Sequence, residues 1–217
     1  MLQLLKEWRL INRSNEMKQL IHPLIIALLL IHANPVFADT EAEFKKAEQA
    51  YRNKDSKTFF EIINRLARQG NAKAQYALST IYEGYGGTGI EKNEEESVKW
   101  LTLSATQGFP RAEYYIGMKY SIGKNPFPRD LDESLKWYKK SAEHGFINAQ
   151  HSLGMRYYMD TPKDYVKAYK WLHIAGEKGY LMAKKTLREL EAIMPPEKIA
   201  HAKMLAQKWK SNFKTRD

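Results

Sequence analysis

The sequence repeats a set of landmark residues at nearly constant intervals, and this periodicity constrains the fold more than any other feature. Four alanines are spaced 38, 37 and 34 residues apart, namely Ala74, Ala112, Ala149 and Ala183. Three tryptophans keep step with them at intervals of 37 and 34 residues: Trp100, Trp137 and Trp171. Unrelated landmarks that move together indicate that one supersecondary unit has been copied along the chain.

Each unit contains two stretches with helical spacing. In the first, Ala74, Leu78 and Tyr82 occur at i, i+4 and i+8, which places them on one face of a helix. The second surrounds the tryptophan and stops eight residues later at a glycine, a residue that readily adopts the left-handed conformation that ends helices. Asn93 and Asp130, each followed by acidic residues, are predicted to start two of these second helices.

The first helix follows the pattern A-x-x-x-L-G-x-x-Y, and the second follows K-A-x-x-W-Y-x-x-A-A-x-x-G. Together they resemble the Sel1-like repeat family, a relative of the tetratricopeptide repeats, from Ala42 to about Trp209. The resemblance implies an all-α fold, a right-handed α/α superhelical solenoid of Sel1-like helix pairs. The glycine-rich turn of the family survives only as Gly84–Ile90, so the loops of the second and third repeats depart from the pattern.

The landmarks divide the chain into segments. We expect a signal peptide over 1–38, a degenerate helix pair over 39–70, repeats over 71–108, 109–145 and 146–179, a capping helix pair over 180–210, and a frayed tail over 211–217. Pro195 and Pro196 are predicted to separate the two capping helices, because proline interrupts one helix and suits the first turn of the next.

Residues Met17 to Ala38 read as a secretory signal peptide, with Met17 as the true start and cleavage after Ala38. The apolar run from Leu24 to Ile31 is too short to span a bilayer; a retained membrane anchor is the alternative. The chain has no cysteine, which excludes disulfides, zinc–thiolate sites and a lipoprotein anchor. We therefore expect export to a bacterial periplasm or secretion from the cell, with no stable membrane anchor after cleavage.

The net charge is +10, and removal of residues 1–38 leaves +8. Opposite charges are interspersed, apart from a basic cluster between Lys198 and Lys214, so an ordinary solvated surface explains most of them. The surplus also favours an acidic partner, such as an acidic protein face or an anionic envelope glycan. No nucleic-acid partner is expected for an exported protein.

No motif for catalysis, a metal or a cofactor is apparent. The four histidines outside the signal peptide fall in different helices, without the short spacing that metal sites use, and serine occurs without a G-x-S-x-G elbow. Residues Gly84 to Gly89 fit G-x-G-x-x-G, but they follow a helix where the dinucleotide fingerprint follows a strand. We expect no cofactor and no enzymatic activity, and a hydrolase remains an alternative.

Function is therefore expected from surface shape. If the packing resembles the tetratricopeptide arrangement, positions −1, +2, +6 and +9 from each landmark alanine line a concave groove. The predicted partner-binding residues are Lys73, Tyr76, Arg111, Tyr114, Met118, Asn148, His151, Met155 and Tyr158. The alternative is that Tyr76, Tyr114 and Met118 pack between neighbouring repeats.

Two functions follow from this interpretation. The first is an exported, non-enzymatic interaction scaffold or adaptor that binds a peptide or protein partner on its concave face, as proteins resembling this family commonly do. The second is an accessory factor of cell-wall metabolism that binds an anionic envelope glycan or a wall hydrolase.

Overall fold

The computed structural model describes the backbone of residues 36–160 and 162–214. The predicted signal peptide lies outside the described residues, except for positions 36–38, which belong to the first helix. Within the described part the protein forms ten helices and no strands. They are α1 (Val36–Arg52), α2 (Ser56–Arg68), α3 (Ala72–Tyr82), α4 (Glu94–Thr106), α5 (Pro110–Ile122), α6 (Leu131–Glu143), α7 (Ile147–Met159), α8 (Tyr165–Glu177), α9 (Leu181–Ile193) and α10 (Pro196–Lys214).

The chain divides into two compact units, residues 1–49 and 50–217. In the first, the described residues form most of α1, where Lys46 Nζ lies 2.8 Å from Glu43 Oε1. In the second, consecutive helices pack against each other from α2 to α9, and α10 packs against α8. The predicted all-α solenoid of helix pairs is confirmed. No helix in the described ranges combines the length and the apolar character needed to cross a membrane.

Side-chain caps start the second helix of each repeat. The side chains of Asn93, Asp130 and Asp164 each accept a hydrogen bond of 2.9 Å from the backbone N–H three residues ahead. This satisfies one of the N–H groups that a helix leaves unpaired in its first turn. The predicted helix starts at Asn93 and Asp130 are therefore confirmed, and Asp164 is the third member of the series.

Glycine ends each second helix. Gly108 has φ of +82°, and its N–H donates to Ala105 O while the N–H of Phe109 donates to Ser104 O. This pair of bonds is the Schellman arrangement, which requires a left-handed residue and so favours glycine. Gly145 and Gly179 take the same place in the next two repeats. The glycine-rich segment 84–90 joins helix α3 to helix α4, as the turn interpretation predicted.

The landmark residues face the core. Ala74, Ala112 and Ala149 are fully buried, together with the apolar residue four positions later in each helix. Gly117 and Gly154 permit close helix contact: a Cβ added to Gly117 would lie 2.9 Å from Tyr138 Cδ1, and one added to Gly154 would lie 2.7 Å from Leu172 Cγ. Small residues at these positions let the two helices of each pair approach.

The three tryptophans are not equivalent. Trp100 and Trp171 are buried, at 7% and 4% exposure, but Trp137 is only partly buried. The ring of Trp209, on α10, covers Trp171 with ring centroids 5.5 Å apart. The landmark tryptophan is therefore less completely buried in the second repeat than in the first and third.

The last two helices differ from the expected capping pair in length. The predicted break is present, because α9 ends at Ile193 and α10 begins at Pro196. Helix α10 continues to Lys214, past the expected end at residue 210. The ring of Phe213 stacks on Trp209 with centroids 5.0 Å apart, so this part of the expected tail is helical and packed.

Candidate functional site

The predicted partner-binding residues lie along α3, α5 and α7, the first helices of the three repeats. We refer to these nine side chains as the first-helix row. Because the landmark alanines face the core, the residues just before them and two positions after them lie at the edge of the buried face. Lys73 and Arg111 are exposed, and the other seven are partly buried: Tyr76, Tyr114, Met118, Asn148, His151, Met155 and Tyr158.

In the first two repeats, the tyrosine two positions after the landmark alanine contacts a ring that starts the next repeat. The centroids of Tyr76 and Phe109 are 5.5 Å apart, and those of Tyr114 and Phe146 are 5.3 Å apart. Aromatic pairs at such distances are favourable beyond the area that they bury. Tyr76 and Tyr114 therefore pack between neighbouring repeats, as the alternative interpretation expected. Both side chains nevertheless keep part of their surface exposed.

The third repeat continues this arrangement with a histidine. His151 lies against Tyr180, with ring centroids 4.5 Å apart. Burial lowers the pKa of His151, which favours its neutral form, and burial is also the main cause of a raised pKa at Tyr76. Burial therefore favours the uncharged forms of His151 and Tyr76.

The partners of these rings occupy one equivalent position. Phe109, Phe146 and Tyr180 are the N-cap residues of α5, α7 and α9, and none makes a side-chain capping hydrogen bond. Sequence reasoning missed them as part of the site. The signal was present, because each lies three residues before a landmark alanine.

Charges near the row are partly neutralised within the protein. Glu83 Oε1 lies 2.9 Å from Lys119 Nζ and 2.7 Å from Lys124 Nζ, joining the first and second repeats. Burial alone would raise the pKa of Glu83, but hydrogen bonds from Lys124 and Lys119 outweigh it and hold this pKa below its ordinary value. Lys73 and Arg111 are thus the cationic members of the row.

The row residues of the third repeat also contact α9. The Tyr158 hydroxyl donates to Glu189 Oε2 at 3.3 Å, and Thr186 Oγ1 donates to Met155 Sδ at 3.6 Å. The nine residues therefore form a line along successive helices, with each part tied to the repeat that follows. A cavity that borders the third repeat contains none of them.

The described residues include no group of three or more histidine, aspartate or glutamate side chains placed to hold a metal ion. The polar and acidic side chains at helix starts act as structural groups. Asn93, Asp130 and Asp164 serve as caps, and Glu96 accepts a hydrogen bond of 2.8 Å from Trp100 Nε1. The first-helix row therefore combines aromatic side chains with two cationic side chains, Lys73 and Arg111.

Comparison with known proteins identifies the repeats. Residues 72–109, 110–146 and 147–180 each match the Sel1 repeat family. The chain is similar to the crystal structure of a Sel1 repeat protein from Oxalobacter formigenes, with 35% identity and a TM-score of 0.55, over 58% of this chain and 95% of that one.

A second solved structure is more distant. It is c5321, described as a protective antigen present in uropathogenic Escherichia coli strains and displaying an SLR fold; identity is 24% and the TM-score 0.48, over 72% of this chain and 41% of that one. This chain therefore spans less than half the length of that protein. No curated protein matches the chain.

Proposed function

The chain belongs to the Sel1 repeat family, whose members typically mediate protein–protein interactions, and on that premise we propose that it is a non-enzymatic scaffold that binds a protein or peptide partner along the first-helix row. The observation that carries this proposal is the series of ring pairs joining successive repeats. Each pair fixes one ring of the row while leaving part of it accessible, so the strip is rigid before a partner arrives. Binding to a preorganised surface loses less conformational entropy than binding to a mobile one.

The composition of the row supports a peptide-like partner. Tyrosine, methionine and arginine are enriched at protein interfaces, and methionine adapts to irregular apolar surfaces. Lys73 and Arg111 add positive charge at the same side of α3 and α5, which favours acidic residues in the partner. With the sequence prediction of a signal peptide, this gives an exported adaptor that acts in the periplasm or outside the cell.

Site-specific crosslinking in cells tests this proposal. A photoreactive residue placed at Arg111 should capture a discrete partner, whereas one placed at Lys208, an exposed position on α10, should not. Adding Tyr114→Ala with His151→Ala should abolish the crosslink from position 111, because these changes remove two rings of the row. Tyr85→Ala provides the matched control, since Tyr85 is a tyrosine in the α3–α4 loop with 64% exposure. An unchanged crosslink in the double variant, with the helical content intact, would contradict the proposal.

The net charge of +8 that removal of residues 1–38 leaves favours the second candidate, an accessory factor of cell-wall metabolism that binds an anionic envelope glycan or a wall hydrolase. Sedimentation with purified peptidoglycan across a salt series distinguishes the two, because electrostatic binding to a polyanion weakens as salt screens the charges. Strong, salt-sensitive co-sedimentation that survives the Tyr114→Ala/His151→Ala change would favour the glycan-binding function.

A further inference from the structure

A cavity of about 510 Å³ lies where the connection between α7 and α8 meets the turn between α9 and α10. Its apolar wall includes Val166, Met194 and Pro195, and the Tyr157 ring borders one side. No residue of the first-helix row lines it. The site is therefore separate from the proposed scaffold surface and does not depend on it.

The second repeat shows what normally lies beside this tyrosine. Tyr120 and Tyr157 are equivalent, because the carbonyl of each accepts a hydrogen bond of 3.0 Å from the N-cap residue of the next helix, Asp130 or Asp164. In the second repeat the ring of Phe127, from the α5–α6 loop, packs edge-on against Tyr120 with centroids 5.1 Å apart. An aromatic side chain from the repeat itself thus covers Tyr120.

The third repeat has no aromatic residue in the corresponding connection, although Tyr165, at the start of α8, also lines the cavity. The connection between α7 and α8 comprises residues 160–164, which include no aromatic residue. Tyr157 remains only partly buried, and the cavity opens beside it. Ile193, at the border of the cavity, is 55% exposed. Lys167 Nζ lies 5.4 Å from the centroid of the Tyr157 ring. An apolar recess beside that ring is suited to a phenyl group.

The charges around the recess are mostly positive. Lys163, Lys167 and Lys198 border it and are exposed. Asp164 is the acidic residue of the lining, and its Oδ2 lies 2.8 Å from Lys167 Nζ, so this carboxylate is already paired. A ligand with carboxylates beside its apolar group would complement this distribution.

We propose that the recess beside Tyr157 binds a phenylalanine side chain of a partner protein, in an extended segment with acidic residues on both sides. The phenyl ring takes the place that Phe127 occupies beside Tyr120, and Lys163 and Lys198 face the flanking carboxylates. The third repeat thus uses a partner's ring where the second repeat uses its own.

Fluorescence anisotropy with a dye-labelled synthetic peptide tests the proposal. The probe carries one phenylalanine between two aspartates on each side, followed by glycine and serine. Replacing the phenylalanine by alanine should weaken binding to the wild-type protein about tenfold or more, because the ring provides the apolar contact. The double change Lys163→Glu/Lys198→Glu should weaken binding of the original peptide to a similar extent. Its matched control, Lys139→Glu/Lys208→Glu, makes the same charge change elsewhere and should leave binding within about twofold.

Three results would overturn the proposal: no measurable binding of the peptide, equal binding of its alanine form, or equal weakening by the two lysine double variants. A single-stranded oligonucleotide is a further competitor, since it also combines rings with anions; displacement of the peptide by the oligonucleotide at equal or lower concentration would assign the recess to nucleic acid instead. The Tyr114→Ala/His151→Ala variant should bind the peptide normally, so failure of the scaffold proposal and failure of this one give different results.

Discussion

The second and third repeats, residues 109–145 and 146–179, keep the same interior but are covered differently. Both bury the landmark alanine, and both use a helix glycine for close contact. In the second repeat Trp137 is partly exposed, whereas in the third Trp171 lies beneath α10. Copying of a repeat therefore preserves the positions that face its own partner helix. The burial of positions that face away from the partner helix, such as Trp137 and Trp171, depends on which other helix packs against them.

The largest expected difference between the two repeats concerns these tryptophans. Trp171→Ala should lower the free energy of unfolding by roughly 3–5 kcal/mol, because it leaves a cavity in a fully packed site. Trp137→Ala should lower it by about 1–2 kcal/mol, since part of that ring is already in water. Urea unfolding followed by circular dichroism measures both values. Equal losses would show that α10 contributes little to the burial of Trp171.

The second prediction concerns what the two repeats share. Gly117→Ala and Gly154→Ala should each destabilise the protein by about 1–3 kcal/mol, because the new methyl group overlaps a packed side chain. Gly176→Ala is the matched control: its added Cβ would meet Leu187 Cδ1 at 3.4 Å, an ordinary contact. We expect this control to be neutral, or stabilising by up to about 1 kcal/mol through helix propensity. A loss confined to one of the first two variants would show that the interiors differ after all.

Features that recur within each repeat could be predicted from the sequence. The helix pairs and the caps at Asn93 and Asp130 depend on local spacing and on residue type. The amino-acid sequence alone is therefore enough to predict them. The contacts of α10 could not be predicted, because this helix returns to α8 and the register of that contact follows no period. The burial of Trp171 depends on this contact, because the Trp209 ring of α10 lies against it.

The sequence predicted on which helices the residues of the candidate site lie, but not how exposed their side chains are. The spacing from the landmark alanines placed Tyr76 and Tyr114 on the first helices, and the structure finds them there. Their exposure depends on Phe109 and Phe146, which begin the next repeat in each case. The recess beside Tyr157 depends on two connections that are distant in sequence, so no local pattern indicates it.

The residue directly after the landmark alanine of each repeat is polar and buried, and its identity distinguishes the second repeat from the first and third. Gln75 and Gln150 each donate from Nε2 to a backbone carbonyl eight residues earlier, at 3.2 and 3.1 Å. The second repeat has Glu113 there, 2% exposed, with Oε2 2.8 Å from His144 Nδ1. Burial raises the pKa of Glu113, although the hydrogen bond to His144 opposes this rise. An ionised carboxylate lacks the proton that the glutamines donate.

The pH dependence of stability tests this contrast. Because the folded-state pKa of Glu113 is raised, the stability linked to its protonated form is complete below the unfolded-state pKa of about 4.3, and is lost as the pH rises through the folded-state pKa. Glu113→Gln should therefore match the wild type in acid and exceed its free energy of unfolding at neutral pH by on the order of 1 kcal/mol.

Two further variants assign this effect to the carboxyl group. His144→Gln removes the histidine but keeps Glu113, so the loss of stability with rising pH should persist. Glu113→Gln/His144→Gln recreates the pair of the first repeat, in which Gln107 Nε2 donates to Gln75 Oε1 at 2.6 Å, and should be the least sensitive to pH. Urea unfolding at a series of pH values measures all four proteins. If His144→Gln flattened the profile while Glu113→Gln did not, Glu113 would not be the group responsible for the pH dependence.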